Sequence, residues 1–144
     1  MADIALDANV IVADLDDGDV HHKRARELLD RLEREGHTLV LLDVCVGEAV
    51  SVVCRRARER KASPPDLDKV LATVRNWHTE GAITWVAVET ERLFDEVIAT
   101  VEATNGRLNF NDAVLVALHR ERVIDALASF DAGFDQVAGF KRLL

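Results

Sequence analysis

This 144-residue chain has few residues suited to thiol, zinc or nucleotide-cradling chemistry. It has two cysteines, Cys45 and Cys54, in what reads as one helix. At about 100° per residue they point to opposite faces, so they cannot bridge while that helix is intact. They read as small buried hydrophobes in a reducing compartment. The five histidines fit no zinc spacing, and His21-His22 reads as helix surface. No Gly-x-x-x-x-Gly-Lys or Gly-x-Gly-x-x-Gly occurs, so nothing builds a phosphate-cradling loop. Asp14-Leu15-Asp16-Asp17-Gly18 fails as a calcium loop, because Gly18 at the sixth position puts Ala13 and Leu15 where ligands belong. No apolar run approaches the roughly 20 residues of a membrane-spanning helix. Met1-Ala2-Asp3 carries neither a basic nor an apolar leader segment. A soluble, cytoplasmic protein is the expectation.

Positive charge is also scarce. Eighteen lysines and arginines against 26 acids give a net charge of −8, which argues against coating nucleic acid by bulk charge. It does not exclude an enzyme that recruits divalent cations to meet phosphate. The basic residues cluster, in Arg55-Arg56-Ala57-Arg58-Glu59-Arg60-Lys61 and in Lys23, Arg24 and Arg26. Each cluster reads first as a solvated helix face. Beside a metal site, Arg55, Arg56 and Arg58 become candidates for docking a phosphate backbone.

Apolar residues, in contrast, are plentiful. At 49% they suffice for one core in one domain spanning 1–144. Strands and helices alternate. Strands are expected at 3–6, 38–42, 83–88 and 126–130, with Val137 and Leu143 in a weak last edge. Helices are expected near 9–15, 20–35, 44–61, 66–80, 90–104 and 113–122, the last capped by Asn109 or Asn111. Gly36, Ser63-Pro64-Pro65, Gly81 and Asn105-Gly106 supply the stops. The sum is an α/β domain with a mostly parallel, helix-covered sheet.

Two of the apolar runs stop on an acid: Ile4-Ala5-Leu6 on Asp7, and the segment ending Ser129-Phe130 on Asp131. The carboxyl ends of parallel strands are where such sheets bind ligands. Glu48 lies in the first turns of the helix after 38–42, and Asp112 at the start of the helix 113–122. Each acid has a structural explanation as well. Glu48 and Asp112 suit a helix N-terminus, and Asp131 before Ala132-Gly133 suits a turn. Asp7 has the weakest such explanation, because it interrupts an apolar run. Asn9 and Ser129 stand ready to orient a carboxylate, and Asp135 is a candidate fifth acid. Carboxylates without histidine or cysteine partners are hard oxygen ligands suited to Mg²⁺ or Mn²⁺, with room for one ion or two. Such ions serve in-line attack on a phosphodiester.

Leu6-Asp7-Ala8-Asn9, the isolated Glu48, Phe110-Asn111-Asp112-Ala113 and Ser129-Phe130-Asp131 followed by Phe134 resemble, in order and setting, the acidic motifs of PIN-domain ribonucleases. His21-His22 followed by Ala25 and Leu28-Leu29 is similar to that family's second helix. The small bacterial and archaeal members are the VapC toxins. The resemblance covers essentially the whole chain. It implies a three-layer PIN-like fold and a metal-dependent endoribonuclease using Asp7, Glu48, Asp112 and Asp131 as catalytic and metal-binding residues. It further implies an RNA substrate, a homodimer and, in the toxin branch, a small antitoxin protein that blocks the site.

Other classes fit less well. A haloacid-dehalogenase phosphatase wants an aspartate where Asn9 stands. A phospho-receiver wants paired acids ahead of its phosphoacceptor; Asp3 is too far from Asp7, and Lys141 is the only late lysine. A free-standing RNA-processing PIN nuclease and a PIN-like module that binds RNA or protein without cutting both stay open.

Overall fold

Ile4-Ala5-Leu6 and Ala126-Leu127-Ala128 contain no polar side chain, so a strand made of either must be covered on both faces. The computed structural model describes residues 1–59 and 64–144 and covers both. In chain order the elements are β1 (Asp3–Leu6), α1 (Ala8–Leu15), α2 (His22–Arg34), β2 (Thr38–Leu42), α3 (Asp43–Glu59), α4 (Leu67–Thr79), β3 (Ile83–Thr84), α5 (Ala87–Arg92), α6 (Phe94–Ala103), α7 (Phe110–Arg120), β4 (Ala126–Ala128), a 3₁₀ turn (Ala132–Gln136) and β5 (Arg142–Leu143). The strands form one sheet in the order β3-β2-β1-β4-β5, and every pairing is parallel. Ile4 sits opposite Leu39 on one side and Ala126 on the other.

The chain leaves β1 for β2 on one side and reaches β4 on the other. A crevice therefore opens beyond the carboxyl ends of β1 and β4. The helices close the sheet: α1 packs on α2 and α3, α4 on α3, and α6 on α7. Six consecutive residues of α7, Ala113 to Leu118, are buried, as expected of a helix enclosed on all sides. Gly36, at φ +80°, ends α2 in a left-handed cap whose following residue, His37, donates its N–H to the Leu32 carbonyl at 3.1 Å. Among the described residues no helix is long and apolar enough to cross a membrane.

Three sequence expectations change. The strand expected at 83–88 ends at Thr84, and Ala87–Arg92 is helical. The β-branched and aromatic run is not a buried ribbon: Trp85 and Val88 are 64% and 75% exposed, and Asp43 Oδ1 accepts the Val86 N–H at 3.1 Å. The single helix expected at 90–104 is two, broken at the buried Leu93, whose φ and ψ are −97° and 11°. Val137 joins no strand and instead closes the 3₁₀ turn. The end expected for α3 at Lys61 lies outside the described residues, which carry the helix to Glu59.

Candidate active site

Asp7 continues the sheet for one more bond, its N–H donating to the Ala128 carbonyl at 3.0 Å. Its extended backbone makes it the N-cap of α1, and Oδ1 accepts the Ala8 N–H at 2.7 Å. Oδ2 accepts from Ser129 Oγ at 2.5 Å and from Asn9 Nδ2 at 3.2 Å. Burial pushes the Asp7 carboxyl up to about 6. The hydrogen bonds from Ser129 and Ala8 oppose that rise, and the charges of Asp112 and Glu48 add to it. Asn9 Nδ2 also donates to Ser129 Oγ at 3.2 Å, so the two side chains and the Asp7 carboxylate are mutually bonded.

Asp112 also serves the fold. Its N–H donates to Asn109 Oδ1 at 2.9 Å while its Oδ2 accepts the Asn109 N–H at 3.1 Å, a reciprocal cap that starts α7. Burial raises this carboxyl too; the Asn109 N–H lowers it, and the charges of Asp131 and Glu48 raise it further. Asp131 caps the 3₁₀ turn, with Oδ1 accepting the Gly133 N–H at 2.7 Å and its own N–H donating to Ser129 Oγ at 3.0 Å. A Cβ on Gly133 would stand 2.9 Å from Asp131 Oδ1, so glycine is what lets that carboxylate seat. Glu48 receives Asn111 Nδ2 at 3.5 Å, a weak contact at the limit of hydrogen bonding.

The four acids thus come from four segments; Asp7 feels the charges of Asp112 and Glu48, and Asp112 those of Asp131 and Glu48. Among the described residues, however, no three histidine, cysteine, aspartate or glutamate side chains stand close enough to hold a metal ion. The charges acting on Asp7 and Asp112 put the four carboxylates in one neighbourhood. Their chemistry still fits a hard cation: all four donors are carboxylates, and the partly buried Asp7 and Asp112 gain from any neutralising charge.

Two partners of the acids had no role at the site assigned from sequence: Asn111, within the Phe110–Ala113 motif, reaches Glu48, and Gly133 leaves room for Asp131. Cys45 is buried behind the site. Burial, and then the charges of Asp7, Glu48, Asp43 and Asp112, push its thiol well above the usual range, so it stays protonated. His22 is not simple helix surface, because its Nδ1 bonds the Ala13 carbonyl at 2.7 Å and ties α2 to α1.

Asp135, a candidate fifth acid, and Arg56, a candidate RNA contact, are each held in an ion pair. Asp135 is gripped by Arg142 through bonds of 2.8 and 2.7 Å, which hold its carboxyl below the usual range. It is not among the charges acting on Asp7 or Asp112. Arg56 is not a free cation: its Nη1 donates to Asp16 Oδ2 at 2.8 Å and Asp19 Oδ2 at 2.7 Å. Arg55 and Arg58 form no ion pair among the described residues.

A model of the PIN-domain family matches residues 4–140. The chain belongs to the PIN-domain family. Its fold is shared by the Mycobacterium tuberculosis toxin VapC20, described as cleaving the sarcin–ricin loop. The two chains are 20% identical, with 95% of each covered and a TM-score of 0.67. It is shared too by a Rickettsia felis structure of VapBC2 bound to a DNA fragment from their promoter, at 11% identity, 98% and 97% coverage and a TM-score of 0.68. Comparison with curated proteins gives no significant match. PIN domains of the VapC kind are nucleases, hydrolases that generally use divalent ions. The acid-lined crevice of this PIN domain lies at the sheet edge where its fold places ligands.

Proposed function

We propose that this PIN domain is an Mg²⁺- or Mn²⁺-dependent endoribonuclease and the toxin of a type II toxin–antitoxin pair. It acts as a homodimer and is held inactive by a small antitoxin protein. The observation that carries the reading is Asp7. A buried carboxylate at a strand end, opposed by the charges of Asp112 and Glu48, is an unstable arrangement unless a cation joins it.

Asp7, Glu48, Asp112 and Asp131 would hold the ion. Bound there, it supplies Lewis acidity toward water and toward the charge building on the phosphodiester. The chain's own groups do the positioning. Ser129 and Asn9 fix the Asp7 carboxylate, and Gly133 leaves Asp131 the space to seat. Asp7 must lose its proton before it can bind a cation, and it does so on passing about pH 6.

The alternative reading is a PIN module that binds RNA without cutting. Incubation of the protein with RNA and Mn²⁺, beside Asp7→Asn and a chelator control, separates the two. Nuclease function requires cation-dependent cleavage by the wild type and none by Asp7→Asn. Cleavage that survives in Asp7→Asn, or no cleavage together with no calorimetric metal binding, overturns it. The toxin assignment requires a small reading frame beside this gene whose product binds the protein and suppresses the cleavage.

A further inference from the structure

A groove of about 390 Å³ runs from the acidic site along α1 and α3. Asn9, Glu48 and Asp131 stand at its catalytic side, and His21, Phe130 and Arg56 also line it. The rings of His21 and Phe130 lie 5.0 Å apart, tilted by 33°, and the Arg24 guanidinium sits 5.1 Å from the centre of the Phe130 ring. Asn9 Oδ1 accepts the Phe130 N–H at 3.2 Å, which holds the base of this side chain against the site. Among the described residues Arg24 pairs with no carboxylate, whereas Lys23 pairs with Glu27 and Arg26 with Asp14.

Adjoining, mutually tilted rings beside an arginine that makes no ion pair among the described residues, opening next to carboxylates, are elements that can hold unstacked nucleobases. Base stacking is also a way for a protein of net charge −8 to grip RNA without a basic surface. Arg56, whose Nη1 is shared by Asp16 and Asp19, has its charge already partly met by those two carboxylates.

We infer that the His21–Phe130–Arg24 platform binds one unpaired nucleotide of the substrate, stacking its base while the neighbouring phosphate reaches the acids. The inference rests on the ribonuclease reading and makes the substrate single-stranded at the cut. A base inside a duplex cannot reach the platform without leaving its stack.

The test uses the cleavage-deficient Asp112→Asn protein in Mg²⁺, whose altered side chain does not line the groove. Fluorescence anisotropy measures its affinity for a labelled single-stranded 12-nucleotide RNA and for the matching duplex. Adding His21→Ala or Arg24→Ala should weaken single-strand binding by about fivefold or more, the lower end of what a base–aromatic stack contributes. Duplex binding should not move, and His21→Phe should bind like histidine. Both residues are exposed, and the His21 side chain makes no helix-cap bond, so neither alanine threatens the fold. Unchanged single-strand affinity in both variants, equal losses on the duplex, or His21→Phe behaving like alanine overturns the platform. The failure of each reading is distinct. Cleavage by the wild type with platform-independent binding removes only the platform. Platform-dependent binding without cleavage by the wild type supports the platform and removes the nuclease.

Discussion

Ser129 donates its hydroxyl to Asp7 Oδ2 at 2.5 Å, joining the ends of two adjacent strands across 122 positions of sequence. The Ser129 Oγ in turn accepts from Asn9 Nδ2 at 3.2 Å and from the Asp131 N–H at 3.0 Å. One buried hydroxyl therefore bonds the carboxylate of Asp7 and the backbone of Asp131. Ser129→Ala strips a hydrogen bond from a buried carboxylate, which costs about 1.5–3 kcal/mol when the acceptor is charged. The bond favours the ionised Asp7, so its loss moves the carboxyl further up. The expected result is lower stability at pH 8 in urea unfolding and an acid limb of RNA cleavage shifted to higher pH. An unchanged limb would show that Ser129 does not tune Asp7.

Asp7 should make the metal-free protein less stable as pH rises. Its carboxyl ionises near 3.8 when the chain is unfolded and at about 6 when folded, so between those values the native state holds the extra proton. The stability this proton confers is complete below about pH 4 and is lost as pH climbs through about 6. Two pKa units correspond to about 3 kcal/mol at most. Asp7→Asn keeps a capping side chain without the charge, so the difference between the two proteins should grow in favour of the variant across that window. Urea unfolding in chelator at pH 4, 5, 6 and 7 measures it, and a flat difference would mean Asp7 is not the titrating group.

Arg56 should matter to the fold more than to RNA. It is 35% exposed, while the Asp16 and Asp19 side chains it holds are only 4% and 7% exposed. Arg56→Ala leaves two nearly buried carboxylates without their cation, a loss of about 2 kcal/mol or more. Arg58→Ala, which breaks no ion pair among the described residues, should change stability by less than about 0.5 kcal/mol. Chemical denaturation of the two variants compares them. Equal stabilities would show that the Arg56 pairs are not structural.

The parts legible in the sequence were those written in neighbouring residues. Asp7 stood out because it breaks an apolar run, and the alternation of strands and helices gave the parallel, helix-covered sheet. The failures came from distant partners. Trp85 to Val88 carry strand-forming side chains, but Asp43, 43 positions earlier, takes the Val86 N–H. Arg56 looked like one cation in a solvated run, and the acids that claim it are 40 and 37 positions away. The touch of Asn111 on Glu48 spans 63 positions and leaves no local trace. Residue types suited to a metal could be read directly, but their spacing could not.

The central claim is that Asp7, Glu48, Asp112 and Asp131 form one divalent-cation site. Calorimetric titration of Mn²⁺ into the wild type and into Asp7→Asn, Glu48→Gln, Asp112→Asn and Asp131→Asn at pH 7.5 addresses it most directly. A shared site requires saturable binding by the wild type and at least a tenfold loss in each variant, about 1.4 kcal/mol apiece. Binding that is absent from the wild type, or equally tight in all four variants, would contradict it.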